Sequence, residues 1–319
     1  MNIVYVASDT RSGSTMLDYL LGENPDIVSV GEIRFLHSHV VRSGVGHSYD
    51  WKCSCGESLS QCNFWGPLLK KYELEGGDPE RDDTSYIQRK TRMLTCFLLL
   101  VGLYAPKSIK RRIANFLTQP DSKSVCNVSN TLRYMKLIPN TDFVLDSSKK
   151  GTQLSCLLNC ANSTSSTSIK VIHLMRDPRA TVCSKVRRKR KGDGLLIYIQ
   201  SMIGWVLHNA EIAAIRTLVD ERDWITLRYE DLCLNTESVI KDLCERFQIP
   251  KHQATVKINK DAKHNICGSP TRFDRTKTRV SLEMSWMENF SFSRKFVYAT
   301  MAWPFLGVLG FGYRNYYKQ

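Results

Sequence analysis

The chain has 319 residues. This length supplies enough core for one large domain or two small ones, and it excludes a small disulfide-stabilised scaffold. Hydrophobic residues make up 42% and charged residues 24% of the chain, which excludes an intrinsically disordered protein. The net charge of +14 predicts anionic partners, such as a nucleotide, an acidic glycan, nucleic acid or a membrane surface.

The N-terminal segment has the layout of a phosphate-binding site. Asn2–Ala7 is a short apolar run rich in β-branched residues, as in a buried strand. The polar loop Ser8–Thr15 follows, and Met16–Gly22 is predicted to be a helix. In such an arrangement the loop amides and the helix N-terminus point at an anion. We therefore predict an anion site at the carboxyl end of the first strand.

The loop itself supplies donors of several kinds. Gly13 lets the backbone approach an anion closely, and hydroxyls and a cation surround it. The candidate anion ligands are Arg11, Ser12, Gly13, Ser14 and Thr15. The loop lacks the Gly-Lys pair of nucleotide triphosphatases and the G-x-G-x-x-G pattern of dinucleotide-binding proteins.

A second strand is predicted over Asp26–Val30, and Glu32 follows it closely. Ligands of open parallel sheets gather at the carboxyl ends of the strands. Glu32 is therefore a candidate functional carboxylate beside the anion loop.

Residues 34–126 interrupt the strand–helix alternation and are predicted to be an insertion. Two helical patterns cover Ser85–Tyr104 and Lys107–Leu117. The insertion is interpreted either as an acceptor pocket and lid or as a structural cap.

Three cysteines of the insertion lie close together in the sequence W-K-C-S-C-G-E-S-L-S-Q-C. Cys53, Cys55 and Cys62, with His47 nearby, have ligand types that zinc prefers, but their spacing is not a standard one. A disulfide and ordinary buried thiols are the alternatives. We expect no metal in the reaction itself.

The next strand and helix again bring cations to a strand end. A helix is predicted over Asn130–Ile138, a strand over Phe143–Asp146 and another helix over Thr152–Ala161. The sequence S-S-K-K, which includes Lys149 and Lys150, follows the strand.

The fourth strand carries the clearest signal in the chain. Lys170–Met175 is predicted to be a strand, and a basic helix follows over Arg179–Lys191. Arg176 therefore lies at a strand end, while Ser184 and Arg188 share one helical face. An arginine fork and a hydroxyl aimed at the same place can bind a phosphate.

The remainder of the chain continues the alternation. We predict a helix over Leu195–Val219, a fifth strand over Trp224–Arg228 and a helix over Asn235–Phe247. A further helix is expected around Trp286, and Phe296–Tyr313 is interpreted as a buried C-terminal helix with its exit loop.

Four separated segments together resemble PAPS-dependent sulfotransferases of the carbohydrate and tyrosylprotein type, where PAPS is 3′-phosphoadenosine 5′-phosphosulfate. The segments are Arg11–Thr15, Arg176–Ser184, Tyr229–Leu232 and His264–Phe273. The resemblance implies an α/β fold with a parallel central sheet flanked by helices, similar to that of P-loop NTPases. It also implies a single domain over residues 1–319, with the insertion over 34–126 inside it.

The resemblance assigns expected roles to individual residues. The 5′-phosphosulfate would be held by Arg11, Ser12, Gly13, Ser14 and Thr15, and the 3′-phosphate by Arg176 and Ser184 with help from Arg188. Tyr229 would line the cofactor and Arg272 would close over it. Glu32 is the expected base, while Lys149 and Arg11 would stabilise developing charge. Lys150 in place of Lys149, and His37 or His39 in place of Glu32, stay open.

The predicted function is sulfuryl transfer from PAPS to an acceptor hydroxyl, with release of PAP (3′,5′-ADP). An anionic glycan is the first candidate acceptor, and an acidic peptide or a small molecule is an alternative. A P-loop phosphotransferase and a non-enzymatic heparin- or nucleic-acid-binding protein that uses Val186–Lys191 are the competing interpretations. We expect no nucleic-acid partner, no membrane span and a cytoplasmic location, with a lumenal Golgi catalytic fragment as the alternative.

Overall fold

Five parallel strands form one sheet in the order β2-β3-β1-β4-β5. The strands are β1 Asn2–Ser8, β2 Ile27–Gly31, β3 Phe143–Lys149, β4 Ser168–Met175 and β5 Trp224–Arg228. This computed structural model describes residues 1–42, 52–84, 98–100, 102–117, 121–162, 167–188, 194–250, 263–268, 273, 279–288 and 290–311. The strand order reverses at β1, which makes the carboxyl end of β1 the topological switch point where α/β sheets bind ligands.

Helices cover both faces of the sheet. They are α1 Ser14–Leu21, α2 Leu36–Val41, α3 Trp65–Leu74, α4 Lys107–Leu117, α5 Ser122–Lys136, α6 Gly151–Asn162, α7 Pro178–Arg188, α8 Leu195–Ile215, α9 Tyr229–Leu234, α10 Thr236–Phe247, α11 Phe292–Met301 and α12 Trp303–Leu306. The predicted α/β fold with a parallel central sheet is confirmed.

The continuous apolar sequence of β1 follows from this layering. Ile3 and Tyr5 belong to one core cluster, together with residues of α3, α5, α6 and α8. Val4 and Val6 belong to a second cluster on the opposite face, with residues of α1 and α10. Because successive side chains of a strand point to opposite faces, a strand covered on both sides must be apolar throughout.

Three predicted element boundaries were wrong, and one of them is that of the helix predicted over Leu195–Val219, which ends at Ile215. The prediction ended β3 at Asp146, but the strand continues to Lys149 because Ser147, Ser148 and Lys149 are themselves buried. The helix predicted over Asn130–Ile138 is α5, which begins at Ser122. The Asp121 side chain caps it by accepting a hydrogen bond of 2.7 Å from the Ser124 backbone N–H.

The C-terminal predictions also need correction. Trp286 lies in a turn rather than a helix, and its ring packs edge-on against Phe290 with centroids 5.5 Å apart. The predicted buried C-terminal helix is instead α11 followed by the short α12. Phe296 and Trp303 are 64% and 56% exposed, so the apolar run is not buried throughout. Among the helices that the structure describes, none is both long and apolar enough to cross a bilayer.

The insertion predicted over residues 34–126 is described only in parts. Most of its predicted helix Ser85–Tyr104 lies outside the described residues, as does His47, while α4 has the predicted bounds. Trp65 and Tyr72 of α3 pack into the cluster that covers one face of β1. The segment around α3 therefore contributes to the central core, whereas its role as an acceptor pocket and lid stays a prediction.

Candidate functional site

The predicted site residues lie along the carboxyl edge of the sheet, in the spatial order of the strands. Glu32 follows β2, Lys149 ends β3, the loop 9–13 follows β1, Arg176 follows β4 and Tyr229 follows β5. Neighbouring strands are about 4.8 Å apart, so Glu32 and Arg176 are separated by three strand intervals, or roughly 14 Å. The edge therefore has one end beside Glu32 and another beside Arg176, with the loop between them.

The loop after β1 requires a glycine for two separate reasons. Gly13 caps α1 with φ = 89°, in the left-handed region that favours glycine. A Cβ at Gly13 would also lie 2.3 Å from Cδ2 of Tyr229. Arg11 adopts φ = 70° without being glycine, which costs about 1–3 kcal/mol. The strained loop brings its backbone close to the Tyr229 ring.

Direct contacts join the two segments that were predicted to bind phosphates. The Arg11 Nε donates to Ser184 Oγ at 2.9 Å, and the Arg176 Nη1 donates to the Arg11 carbonyl at 3.2 Å. The Arg176 guanidinium also lies over the Tyr229 ring, 4.4 Å from its centroid. The first loop, the end of β4 and helix α7 therefore face one another across a single site.

The Arg176 guanidinium has a partner that the sequence did not indicate. Its Nη2 donates to Glu283 Oε2 at 2.8 Å. Burial opposes the charge of Glu283, but the Ser285 hydroxyl and the Arg176 charge outweigh that effect and hold the pKa of Glu283 below its usual range. An anion at Arg176 must therefore share this guanidinium with Glu283 or displace the carboxylate.

Several buried donors along this edge have no hydrogen-bond partner among the described residues, and they include the Ser12 hydroxyl and the Arg176 Nε. A buried donor left unpaired costs about 1–3 kcal/mol, so such groups usually meet a ligand or an ordered water. The Ser12 hydroxyl and the Arg176 Nε belong to the segments that the sequence predicted to bind an anion.

At the other end of the edge, Glu32 and Lys149 form a buried ion pair, and Arg34 donates to the second oxygen of Glu32 at 3.2 Å. Burial opposes ionisation of Glu32, but the charges and hydrogen bonds of Lys149 and Arg34 outweigh it and hold its pKa below the usual range. Glu32 is therefore a carboxylate at neutral pH. Lys149 has φ = 75°, a second strained residue at this edge.

The residues proposed as alternatives to Lys149 and Glu32 each have partners of their own. Lys150 is half-buried, and this burial together with the Arg34 charge lowers its pKa. His37 Nε2 lies 2.9 Å from the Glu80 carbonyl and its Nδ1 lies 3.6 Å from Asp83. His39 is buried with Nδ1 2.9 Å from the Phe35 carbonyl. Glu32 and Lys149 thus contact each other, whereas the alternative residues contact other groups.

A segment from the C-terminal part of the chain packs against the end of β2. The Glu32 backbone N–H donates to the Ile266 carbonyl at 2.8 Å, and the Ile266 N–H donates to Val30 at 3.2 Å. Gly31 has φ = 67°, and a Cβ there would lie 2.5 Å from the Ile266 carbonyl oxygen. The close approach of residues 263–268 thus fixes the backbone that carries Glu32.

The remaining predicted site residues are placed only in part. Ser14 is buried at the start of α1, and a Cβ on Gly268 would lie 3.3 Å from Thr15 Oγ1. Arg188 ends α7, but its side chain lies outside the described residues, as does the whole of Arg272. Sequence reasoning missed Arg34 and Glu283, which become recognisable only from their contacts.

Asp146 gives a testable pH dependence of stability. Burial, together with the Glu32 charge, raises its pKa to about 7 despite the opposing Ser148 hydrogen bonds and Arg34 charge. The folded state therefore retains a proton that the unfolded chain loses near pH 4. Stability should fall as pH rises from about 4 towards 7, by about 1.4 kcal/mol for each unit of pKa difference.

Asp146→Asn should flatten this dependence, because the amide oxygen can still accept the Ser148 N–H and carries no charge to bury. Denaturant unfolding at pH 5, 7 and 8 would measure the effect. The variant should gain stability relative to the unsubstituted chain as pH rises. Parallel pH profiles for the two proteins would show that Asp146 ionises normally.

Comparison with known proteins gives one family match. Residues 168–253 match the profile described as "Sulfotransferase family". This range extends from β4 to just beyond α10 and contains Arg176, Ser184 and Tyr229. The match supports sulfuryl transfer in general. A search of curated protein sequences gives no match to the chain.

One solved structure extends the likeness to the whole fold. The sulfotransferase domain from the Synechococcus PCC 7002 olefin synthase has 16% sequence identity and a TM-score of 0.52, with 95% of each chain covered. The sulfotransferase domain from the curacin biosynthetic pathway has 15% identity and a TM-score of 0.49, covering 94% of this chain and 97% of that one. Sulfotransferase STF1 from Mycobacterium tuberculosis H37Rv has 14% identity and a TM-score of 0.47, covering 94% and 76%. The predicted resemblance to sulfotransferases is confirmed.

Proposed function

We propose that this chain, which has the sulfotransferase fold and a segment matching the sulfotransferase family, transfers a sulfuryl group from PAPS to an acceptor hydroxyl and releases PAP. The observation that carries the proposal is the contact of Arg11 with both Ser184 and Arg176. A donor with phosphate groups at two positions needs both anion-binding segments in one pocket.

The unpaired donors fit the charge of PAPS. The Ser12 hydroxyl belongs to the loop proposed for the 5′-phosphosulfate, and the Arg176 Nε belongs to the group proposed for the 3′-phosphate. Gly13 leaves its space to the Tyr229 ring, so the loop packs directly against the tyrosine proposed to line the nucleotide. Arg11, Ser14 and Thr15 complete the proposed 5′ site, and Ser184 and Arg188 the 3′ site.

PAPS, when bound, supplies the activated sulfuryl group. Glu32, kept ionised by Lys149 and Arg34, would take the proton of the acceptor hydroxyl, a role worth about 10²–10⁴-fold in rate. Lys149 and Arg11 would stabilise the negative charge that develops on the leaving side, and one such donor contributes about 10²–10³-fold. When Glu32 accepts the proton, Lys149 is released from its ion pair and can serve the developing anion.

The acceptor would approach at the Glu32 end of the edge, because the proposed nucleotide site occupies the Arg176 end. We propose an anionic glycan as the first acceptor class, since the chain carries a net charge of +14. Incubation with sulfur-labelled PAPS and a panel of glycans, acidic peptides and small alcohols would test it. Label transfer to a glycan supports the proposal, and transfer only to a tyrosyl peptide or a small alcohol would replace the acceptor class.

Arg176→Ala should weaken PAP binding about 10- to 100-fold, because one or two hydrogen bonds to a charged group are lost. The affinity for 5′-AMP should change by no more than about 3-fold, because this ligand has no 3′-phosphate that could accept a hydrogen bond from Arg176. Isothermal titration calorimetry with both ligands gives the comparison.

Arg187→Ala is a matched control for that experiment. Arg187 is an exposed arginine of α7 whose Nη1 lies 3.6 Å from Glu283 Oε1 and donates to the Ser285 hydroxyl at 2.7 Å. Its loss should leave the ratio of the PAP and 5′-AMP affinities unchanged. An equal loss of affinity for PAP and for 5′-AMP in Arg176→Ala would mean that this arginine supports the fold of the pocket and does not bind the 3′-phosphate.

The competing P-loop phosphotransferase would need a site for the β- and γ-phosphates of ATP and for magnesium. The loop holds no Gly-Lys pair, and its strained cation Arg11 contacts Ser184, which lies on a different element. These features favour a nucleotide with a second phosphate position over a nucleoside triphosphate.

A further inference from the structure

Three neighbouring thiols lie together with an imidazole that is more than 200 positions away in the sequence. Cys53, Cys55, Cys62 and His264 have all their potential ligand atoms within 4.8 Å of one another. Cys53 and Cys62 are fully buried, whereas Cys55 and His264 are partly exposed. No disulfide joins the described cysteines, so these three are free thiols. Within the described residues, the histidine beside these cysteines is His264, whereas His47 lies outside them.

Four distances within this group are within about 0.4 Å of the edges of a metal-centred tetrahedron. The sulfur of Cys62 lies 3.6 Å from that of Cys53 and 3.8 Å from that of Cys55. The His264 Nδ1 lies 3.2 Å from the Cys62 sulfur and 3.8 Å from the Cys53 sulfur. With Zn–S near 2.3 Å and Zn–N near 2.05 Å, a tetrahedral ion separates two sulfurs by about 3.8 Å and a sulfur from a nitrogen by about 3.6 Å.

The surroundings hold these groups in place from two parts of the chain. The Ser54 N–H donates to the Asn265 carbonyl at 3.1 Å, and the Asn265 N–H donates to Ser54 Oγ at 2.9 Å. Trp65 Nε1 donates to the His264 carbonyl at 2.6 Å. The Phe64 ring stacks on the His264 ring with centroids 5.6 Å apart. Such outer contacts orient the ligands of metal sites.

We propose that Cys53, Cys55, Cys62 and His264 bind one structural zinc ion. Three thiolates and one imidazole complete a tetrahedral set, so the ion has no open position for substrate and takes no part in sulfuryl transfer. The ion would lock residues 52–65 onto residues 263–268. Residues 263–268 pair with Gly31 and Glu32. The zinc would therefore indirectly fix the backbone of Glu32, the proposed base.

Metal analysis of the full chain tests this inference without reference to its activity. Protein expressed in zinc-supplemented medium and desalted without chelator should contain about one zinc ion per chain. A mercurial reagent should release this zinc as the thiols react. Replacement by Co²⁺ in the unsubstituted chain should give thiolate-to-metal charge-transfer bands and the visible absorption of tetrahedral cobalt. Zinc content near zero, bound iron, or a Cys53–Cys62 disulfide found by mass spectrometry would each overturn the assignment.

Cys62→Ser should weaken zinc binding by at least about 100-fold, since even outer contacts of metal sites are worth about 10–100-fold. Cys244→Ala is the matched control, because Cys244 is also buried but lies on α10 in the opposite core cluster. A chelator should lower the melting temperature of the unsubstituted chain and of Cys244→Ala by about 5 °C or more, and should leave that of Cys62→Ser unchanged. Equal zinc contents in the two variants would place the metal elsewhere.

Discussion

Replacing Glu32 by glutamine should lower the turnover number about 10²- to 10⁴-fold and leave the affinity for PAP within about 3-fold. The amide fills the same volume but cannot accept the proton of the acceptor hydroxyl. Glu32 is also about 14 Å from Arg176 along the sheet edge, so nucleotide binding should not depend on it. Single-turnover transfer from labelled PAPS and calorimetry with PAP would provide the two measurements.

Glu237→Gln is the control for this substitution, because Glu237 is an exposed carboxylate in the first turn of α10. It should retain full turnover. Because Lys149 and Arg34 keep the pKa of Glu32 below its usual range, the unsubstituted enzyme should show no loss of this base between pH 6 and pH 8, well above the ordinary value of about 4.3. Full activity in Glu32→Gln would move the base to His37 or His39.

Replacing Lys149 by methionine should lower the turnover number about 10²- to 10³-fold, the cost of removing one positioned electrostatic donor. Methionine retains the length of the apolar stem, so the packing at the end of β3 changes little. The strained φ of 75° at this position is another reason to expect a functional requirement. The loss should appear in the turnover number and not in PAP affinity, because the ammonium serves charge that develops during transfer.

The adjacent lysine provides a stringent control. Lys150→Met removes the same charge one residue later, but the Lys150 ammonium faces Asp9 and Glu211 instead of Glu32. It should change turnover far less than Lys149→Met does. The reverse order of effects would assign the role to Lys150, which the sequence S-S-K-K had left open.

The first strand, loop and helix were predictable because their signals are local. The apolar run of β1, the R-S-G-S-T loop and α1 are contiguous, and each contributes a pattern that does not depend on distant residues. The strand end at Arg176 was predictable for the same reason. The parallel order of the strands then brings their carboxyl ends to one edge of the sheet, so the general position of the site followed from the alternation.

The features that could not be predicted depend on contacts between segments that are distant in sequence. Ser147, Ser148 and Lys149 are polar, and only burial by other elements reveals that β3 continues through them. Glu283 meets Arg176 across 107 positions of sequence, and His264 meets Cys53 across 211. No spacing rule connects residues so far apart. The cap at Asp121, by contrast, was a local signal, and recognising it would have placed the start of α5 correctly.

The most direct test of the account is calorimetric titration of the full chain with PAP, 5′-AMP and ATP with magnesium. If one pocket holds a nucleotide by phosphates at two positions, PAP should bind at least about 10-fold more tightly than 5′-AMP, because the 3′-phosphate gains charged hydrogen bonds from Arg176 and Ser184. PAP should also bind more tightly than ATP with magnesium. Tighter binding of ATP with magnesium, or equal binding of PAP and 5′-AMP, would contradict the assignment of this site to a sulfuryl donor.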